Sequence, residues 1–377
     1  MTVVDADQHL FEPRTLWTEY GDPGDRNRML AIVDDEAGNA WLQWQGQRLG
    51  LAHVTIPGEP DDVGDQQRRA RAGEPPRRHY DEALPADFWE PTARLARLDQ
   101  LGLDAAVCFP NYGLLWEREL AADLPATLAN LRAWNRWAVE VTQEGQGRLH
   151  PVGHVTLRDL DWLDQELRTL GAGGVRAAMV APGLVDGRAL SDPDFDRAWR
   201  AFLEHGITPV FHIANQTRPF GDAWYESDPD QALPVFTSVF LWVPAAVAIA
   251  DLVLNGVLDR HPDLRIGVME LSAVWLPMFV MFLDGGHDFT RRLNGTALHD
   301  LALRPSDYVR RQVRVAAFSY ERPGRLARDV GDLFMACSDW PHSEGTADPL
   351  GDYRAARCDP GADRGLFHDN VELLLRP

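Results

Sequence analysis

Eight short apolar runs recur along the chain, at 3–7, 105–109, 150–155, 175–180, 208–213, 265–270, 314–318 and 333–339. Each has the length and near-continuous apolarity of a strand buried on both faces. Between them lie stretches with apolar residues at helical spacing, for example 93–101, 126–143, 160–170, 193–205 and 244–260. Chain breakers introduce several of the runs, as in Leu101-Gly102-Leu103-Asp104, the glycine-rich 171–174 and His261-Pro262-Asp263. Strand alternating with helix is the mark of a parallel sheet. Eight such units predict an α/β chain folded as one (β/α)8 TIM barrel over residues 1–377, with a doubly wound open sheet as the alternative.

The first connection breaks this rhythm. Residues 14–92 separate the first strand from the helix before the second, where a loop of about 4–6 residues is usual. Within it, 29–33 and 40–44, split by Asp34-Asp35-Glu36-Ala37-Gly38-Asn39, predict a β-hairpin. Residues 58–78, rich in Pro, Gly, Asp and Arg, predict a partly mobile loop. An insertion after the first strand of a barrel stands over its mouth, which suits a lid or substrate-binding element; a subunit arm is the alternative.

Composition narrows the choice of function. With 57 acidic and 37 basic residues the formal charge is −20, which argues against binding a phosphate backbone and leaves a small molecule as the expected partner. All 37 basic residues are arginine, so a Schiff base, a P-loop lysine or a carbamylated lysine joining two metals is excluded. The three cysteines, Cys108, Cys337 and Cys358, show neither metal-type nor disulfide spacing. The most apolar stretch, 235–258, is interrupted by Pro244, Asp251 and Asn255. It reads as a core or subunit-contact helix rather than a membrane span, and a homodimer is expected. The opening residues lack a charged-then-apolar leader, so a soluble, cytoplasmic protein is expected.

Candidate chemistry sits at the ends of the apolar runs. Asp7 and His9 close the first, His212 the fifth, Glu270 the sixth and Asp339 the eighth. In a barrel these ends converge on one mouth, so residues far apart in sequence can share one ion. Asp7 and His9 stand two apart, which on a regular strand places both on one face. Oxygen and imidazole donors suit one divalent ion, Zn2+, Mn2+ or Fe2+. Each residue has a plain structural alternative, such as an N-cap role for Asp339; the combination is what points to a metal.

The segment Val4-Asp5-Ala6-Asp7-Gln8-His9-Leu10-Phe11-Glu12-Pro13 resembles the opening of the amidohydrolase-related proteins, metal-dependent TIM-barrel hydrolases and decarboxylases. So do Pro91-Thr92-Ala93-Arg94-Leu95, Ser338-Asp339-Trp340-Pro341-His342-Ser343-Glu344-Gly345 and the closing Asp369-Asn370-Val371-Glu372-Leu373-Leu374. The resemblance implies a mononuclear site built from Asp7, His9, His212 and Asp339. Asp7 stands where the common family start has a histidine, which makes the site harder and shifts it from Zn2+ towards Mn2+ or Fe2+. Glu270 stands where family decarboxylases carry a catalytic histidine.

The resulting expectation is a hydrolase that uses metal-activated water on a C–N, C–O or activated C–C bond, with Asp339 and Glu270 as candidate proton-transfer groups. The alternative is a non-oxidative decarboxylase of an aromatic or unsaturated acid. A non-catalytic ligand-binding barrel and an iron-dependent oxygenase are the remaining readings. His154, Arg176, His342 and Glu344 are candidates for touching substrate or orienting the metal ligands.

Overall fold

A computed structural model describes residues 2–59, 62–213, 219–225, 235–297 and 299–376. The strands are β1 (Val4–Leu10), β2 (Leu30–Asp34), β3 (Ala40–Trp44), β4 (Gln47–Leu51), β5 (Ala105–Pro110), β6 (Leu149–Pro151), β7 (Gly153–His154), β8 (Ala177–Met179), β9 (Thr208–Phe211), β10 (Ile266–Val268), β11 (Val313–Ala317) and β12 (Phe334–Ala336). Two parallel sheets run β1-β5-β6 and β7-β8-β9-β10-β11-β12. Only Val152 separates β6 from β7, so these two are one interrupted barrel strand. At the other seam Gln8 pairs with Trp340, Asp339 N–H donates to Asp7 O at 2.9 Å, and His9 N–H donates to Trp340 O at 2.7 Å. The ring is closed, and all eight expected barrel strands are present in a TIM barrel.

Two apolar layers explain why the short strands hold. Val4, Ala6, Val107, Phe109, Val152, Met179, Val210, Met269 and Met335 fill the barrel, while Leu10, Cys108 and Leu149 join a larger cluster beneath the helices. Strands covered on both faces need no polar alternation. The C-terminal helix Asn370–Leu375 plugs the lower end with Val371, Leu374 and Leu375. Gly267 leaves room for it: a Cβ there would lie 2.9 Å from Val210 and 3.0 Å from Leu374.

The helix Pro91–Leu101 shows how locally the surrounding helices are specified. Glu90 accepts from the N–H groups of Thr92 and Ala93, proline opens the first turn, and Gly102 closes the helix at φ +72°. The stretch 244–260 is not continuous; it forms Val243–Leu254 and Val257–Arg260, broken at Gly256 with φ +74°. By length and composition Val235–Leu254 is apolar enough to cross a membrane. In the fold, however, Ala245, Ile249, Leu252 and Val253 are fully buried in the larger cluster.

The insertion differs from expectation in two ways. The hairpin of β2 and β3 gains a third antiparallel strand, β4. In the expected mobile loop, Val63–Arg71 is a helix whose Asp62 side chain caps Asp65 N–H; residues 60 and 61 lie outside the described residues. The insertion is tied to the mouth by Tyr112 OH donating to His53 O and Tyr80 OH donating to Glu12 O, both at 2.9 Å.

Arg94, on the inner face of the Pro91–Leu101 helix, is fully buried. It donates to Gln8 Oε1 at 3.0 Å, His9 O at 2.7 Å and the carbonyls of Asp87 and Phe88. Arg94→Ala leaves these acceptors unpaired beside a cavity and is expected to destabilise the protein by about 3–5 kcal/mol. Urea unfolding of the variant checks this; a loss below about 1 kcal/mol contradicts the role given to Arg94.

Candidate metal centre

The cluster starts from a kink in β1. Asp5 pairs with Ala106 and Gln8 with Cys108, so Ala6 and Asp7 together face Val107. This bulge turns both Ala6 and Asp7 inward and sends Gln8 out towards Arg94. Asp7 and His9 share the inner face by regular alternation about Gln8, while the bulge just before them sets which face that is.

Asp7, His9, His212 and Asp339 are each fully buried. Asp339 Oδ1 lies 3.2 Å from His9 Nε2, and Asp7 Oδ1 lies 3.4 Å from His212 Nε2 and 3.6 Å from His9 Nε2. Glu270 joins them, with Oε2 at 3.2 Å from His212 Nε2 and 3.6 Å from His9 Nε2. Donors held about 2.1 Å from one divalent ion stand about 3.0–3.4 Å apart at octahedral or tetrahedral angles. Three of the five observed spacings fall in that range, and the two from His9 Nε2 to Asp7 and Glu270 are longer, at 3.6 Å.

Hydrogen bonding fixes the rings for the same purpose. His9 Nδ1 lies 3.1 Å from Pro110 O, and His212 Nδ1 lies 2.8 Å from Ile213 O. A carbonyl only accepts, so each Nδ1 carries the proton and each Nε2 turns a lone pair to the centre. Asp7 Oδ2, His9 Nε2, Glu270 Oε2 and both Asp339 oxygens are buried without a hydrogen-bond partner. Orphaned donors and acceptors on one point are costly unless a cation satisfies them, and this set fits one. Glu270 and Asp339 also hold positive φ, 52° and 56°. L-residues pay about 1–2 kcal/mol for that conformation, and such strain clusters at functional sites.

The charges confirm a crowded, desolvated centre. Burial pushes Asp7 up to about 8 and, with Asp339 nearby, raises Glu270. It pushes His212 down to about 4, so that ring is neutral and able to ligate. Burial opposes protonation of His9, but the nearby Asp339, Glu270 and Asp7 carboxyls outweigh this and raise it well above its ordinary value. Burial would likewise raise Asp339; His342 and His9 overcome it and hold the carboxyl below the usual range.

His342 stacks on His9 with ring centroids 3.8 Å apart, its Nδ1 2.9 Å from Asp339 Oδ1 and its Nε2 2.9 Å from Asn111 Oδ1. Glu344, by contrast, is an exposed rim residue hydrogen-bonded by Ser343. Arg176 corrects its expectation outright. It precedes β8 at the opposite end of the barrel, where its guanidinium donates to Gly171 O at 3.3 Å. His154 ends β7, buried, with Nε2 3.1 Å from Glu117 Oε2. Asn111 and Glu117 were not anticipated; they carry no motif, and only the fold brings them to the mouth.

A closed barrel with five convergent donor residues at its C-terminal mouth is the arrangement of a TIM-barrel enzyme site, one with the donor set that could hold a metal ion. The amidohydrolase family model matches residues 77–376. The chain belongs to the amidohydrolase family. Among solved structures it is similar to an amidohydrolase from Mycobacterium avium subsp. paratuberculosis (23% identity, 99% of each chain, TM-score 0.77). It is also similar to the manganese-bound 5-carboxyvanillate decarboxylase of Novosphingobium aromaticivorans (18% identity, 99% of this chain and 96% of that one, TM-score 0.67). A third is the 2,6-dihydroxybenzoate decarboxylase from Rhizobium (15% identity, 100% and 98% coverage, TM-score 0.59). No curated protein sequence matches the chain.

Two outcomes follow for the centre. At neutral pH the metal-free cluster retains protons, because Asp7 and His9 are both raised. A cation displaces them, so its affinity rises with pH through the neutral range. Calorimetry with Mn2+ in buffers of different ionisation enthalpy should read proton release near pH 7; affinity that is flat with pH contradicts it. Elemental analysis should find about one Mn, Fe or Zn per chain in wild type and almost none in a His212→Ala/Asp339→Ala double variant.

Proposed function

We propose that this chain is a metal-dependent, non-oxidative decarboxylase of a small aromatic or unsaturated carboxylic acid, its ion held by Asp7, His9, His212 and Asp339. The observation that carries the reading is the buried clustering of their donor atoms: Asp7, His9 and His212 form one potential metal-binding group, Asp339 joins His9 in a second, and Asp7 Oδ2, His9 Nε2 and both Asp339 oxygens are left without a hydrogen-bond partner. The manganese-containing decarboxylases of similar fold support the choice of reaction and favour Mn2+ as the ion. An ion in this place polarises a substrate oxygen and lowers the pKa of a water molecule.

Cleavage of the bond to CO2 leaves an electron pair on carbon, which must take up a proton. His342 is placed to carry it. Its ring sits at the rim with a side-chain exposure of 16%, between Asp339 and Asn111. The Asp339 carboxylate 2.9 Å from Nδ1 favours the protonated ring, which can pass a proton to carbon, and Asn111 at Nε2 fixes the ring's orientation. Glu270 turns Oε2 towards both ligand histidines, which suits holding the ion better than delivering a proton. The insertion at 14–92, tied to the mouth through Tyr112 and Tyr80, is proposed to shield the reacting carbon from water.

A second reading is hydrolysis, and Asp339 favours it: a carboxylate held ionised beside the ion can accept a proton from water. Turnover of hydroxylated aromatic acids by Mn-loaded protein in D2O separates the two. Decarboxylation releases CO2 and places one deuterium on the product carbon, whereas cleavage that consumes H2 18O without CO2 sinks it. His342→Gln should lower kcat by about 100-fold or more with metal content unchanged.

We also infer a homodimer. The helix Leu276–Asn294 exposes Met278, Met281, Phe282, Phe289 and Leu293, an apolar row larger than monomers usually leave in water. Sedimentation should give twice the chain mass, and Phe282→Glu should shift it to the monomer.

A further inference from the structure

We propose that His154 and Glu117 form a second, metal-free pole of the mouth that recognises a hydroxyl group on the substrate, remote from the ion. This rests on the reading of the donor cluster as a substrate-binding metal centre. Val152 points into the barrel, and His154 follows it by two residues. Its side chain therefore leaves the same inner face one layer nearer the mouth. Between His9 on β1 and His154 on β7 lies one strand, β5. Two strand spacings amount to about 10 Å, roughly the reach of a six-membered ring with a polar group at each end and their contacts.

The residue is held as binding groups are held. Asn135 clamps its backbone from both sides, accepting from His154 N–H at 2.7 Å and donating to His154 O at 3.0 Å. The remaining Asn135 N–H is taken by Glu166 at 3.0 Å. Glu117 Oε2 lies 3.1 Å from Nε2, so the proton of a neutral ring sits on Nε2. Nδ1 then carries a lone pair, and it is buried without a partner. Trp116 packs on the ring at 5.9 Å, and its Nε1 is likewise buried and unpartnered.

The chemistry selects the ligand. A lone pair on Nδ1 accepts from an O–H group, whereas the Glu117 carboxylate repels a second anion. A neutral hydroxyl fits; a second carboxylate does not. Neither potential metal-binding group among the described residues includes His154, so this pole is not another cation site.

The test is binding, not turnover, so it stands or fails separately from the decarboxylase reading. Calorimetry on Mn-loaded protein would compare benzoic acid with 3- and 4-hydroxybenzoic acid, and with isophthalic acid as the dianion. Wild type should bind at least one hydroxy acid about tenfold more tightly than benzoic acid, and isophthalic acid no better than benzoic acid. His154→Phe should erase that preference while leaving benzoic acid affinity and metal content unchanged. His154→Gln, which keeps an acceptor, should retain part of it, and Glu117→Gln should weaken it several-fold. Equal affinity of wild type for hydroxylated and plain acids, binding of none of them, or an undiminished preference in a folded His154→Phe variant overturns the proposal.

Discussion

Everything at the mouth depends on how β1 is gripped. Its seam with the last barrel strand is short: one residue pairing and two backbone hydrogen bonds. Buried side chains supply the rest. Asp5 accepts from Ser338 N–H at 2.9 Å and from Gln8 Nε2 at 2.9 Å, stitching β1 to the segment that bears Asp339. From outside, Arg94 reaches Gln8 and the carbonyl of His9. Burial pushes Asp5 up to about 6, which shows how far its solvent has been removed. Ionic groups of this kind are tolerated in a core only when their hydrogen-bonding capacity is filled. Here the bonds that fill it are the ones that align two ligand-bearing segments.

The donor cluster has the opposite character. Three carboxylates and two imidazoles meet with their lone pairs inward, and two of the carboxylates ride on backbone in the left-handed region. Nothing in the packing rewards that arrangement. It is held by the strands that carry it, and a cation there would relieve it, which would couple stability to metal binding in one set of residues. Glu270 is the telling member. It adds a third carboxyl group to the cluster and turns Oε2 towards both imidazoles.

The fold was legible because each barrel strand lies in a short, largely apolar run, several with a breaker before them, a signal carried within five to seven residues. The candidate donors were legible because each sits at the end of such a run, and the fold brings them together. What escaped has a common cause. The third insertion strand, Gln47–Leu51, has a polar, largely exposed face and lacks apolar alternation. The helix Val63–Arg71 is dominated by charge and depends on the Asp62 cap. Arg176 looked like an inward residue because strand periodicity gives the face but not which end of a three-residue strand a side chain reaches. Asn111 meets His342 across 231 positions of sequence, a pairing that no local pattern records.

The segment after β5 joins the two halves of the site. Asn111 holds the ring of His342 beside the donor cluster, and Glu117, six residues on, holds His154 on the far wall. Between them the backbone N–H groups of Asn111, Tyr112 and Gly113 all point at one buried carboxylate, Glu12, at 3.3, 2.9 and 2.8 Å. Glu12 stands three residues beyond His9, just past β1. Three charge-assisted bonds to main chain are among the stronger restraints a loop can receive. The strand that supplies the first two donors therefore also fixes the loop that contacts both sides of the mouth. Geometry at the ion and geometry at the remote wall are set by one rigid unit, β1 with its Glu12 anchor. Side chains on that loop can therefore change without disturbing the strand that holds Asp7 and His9.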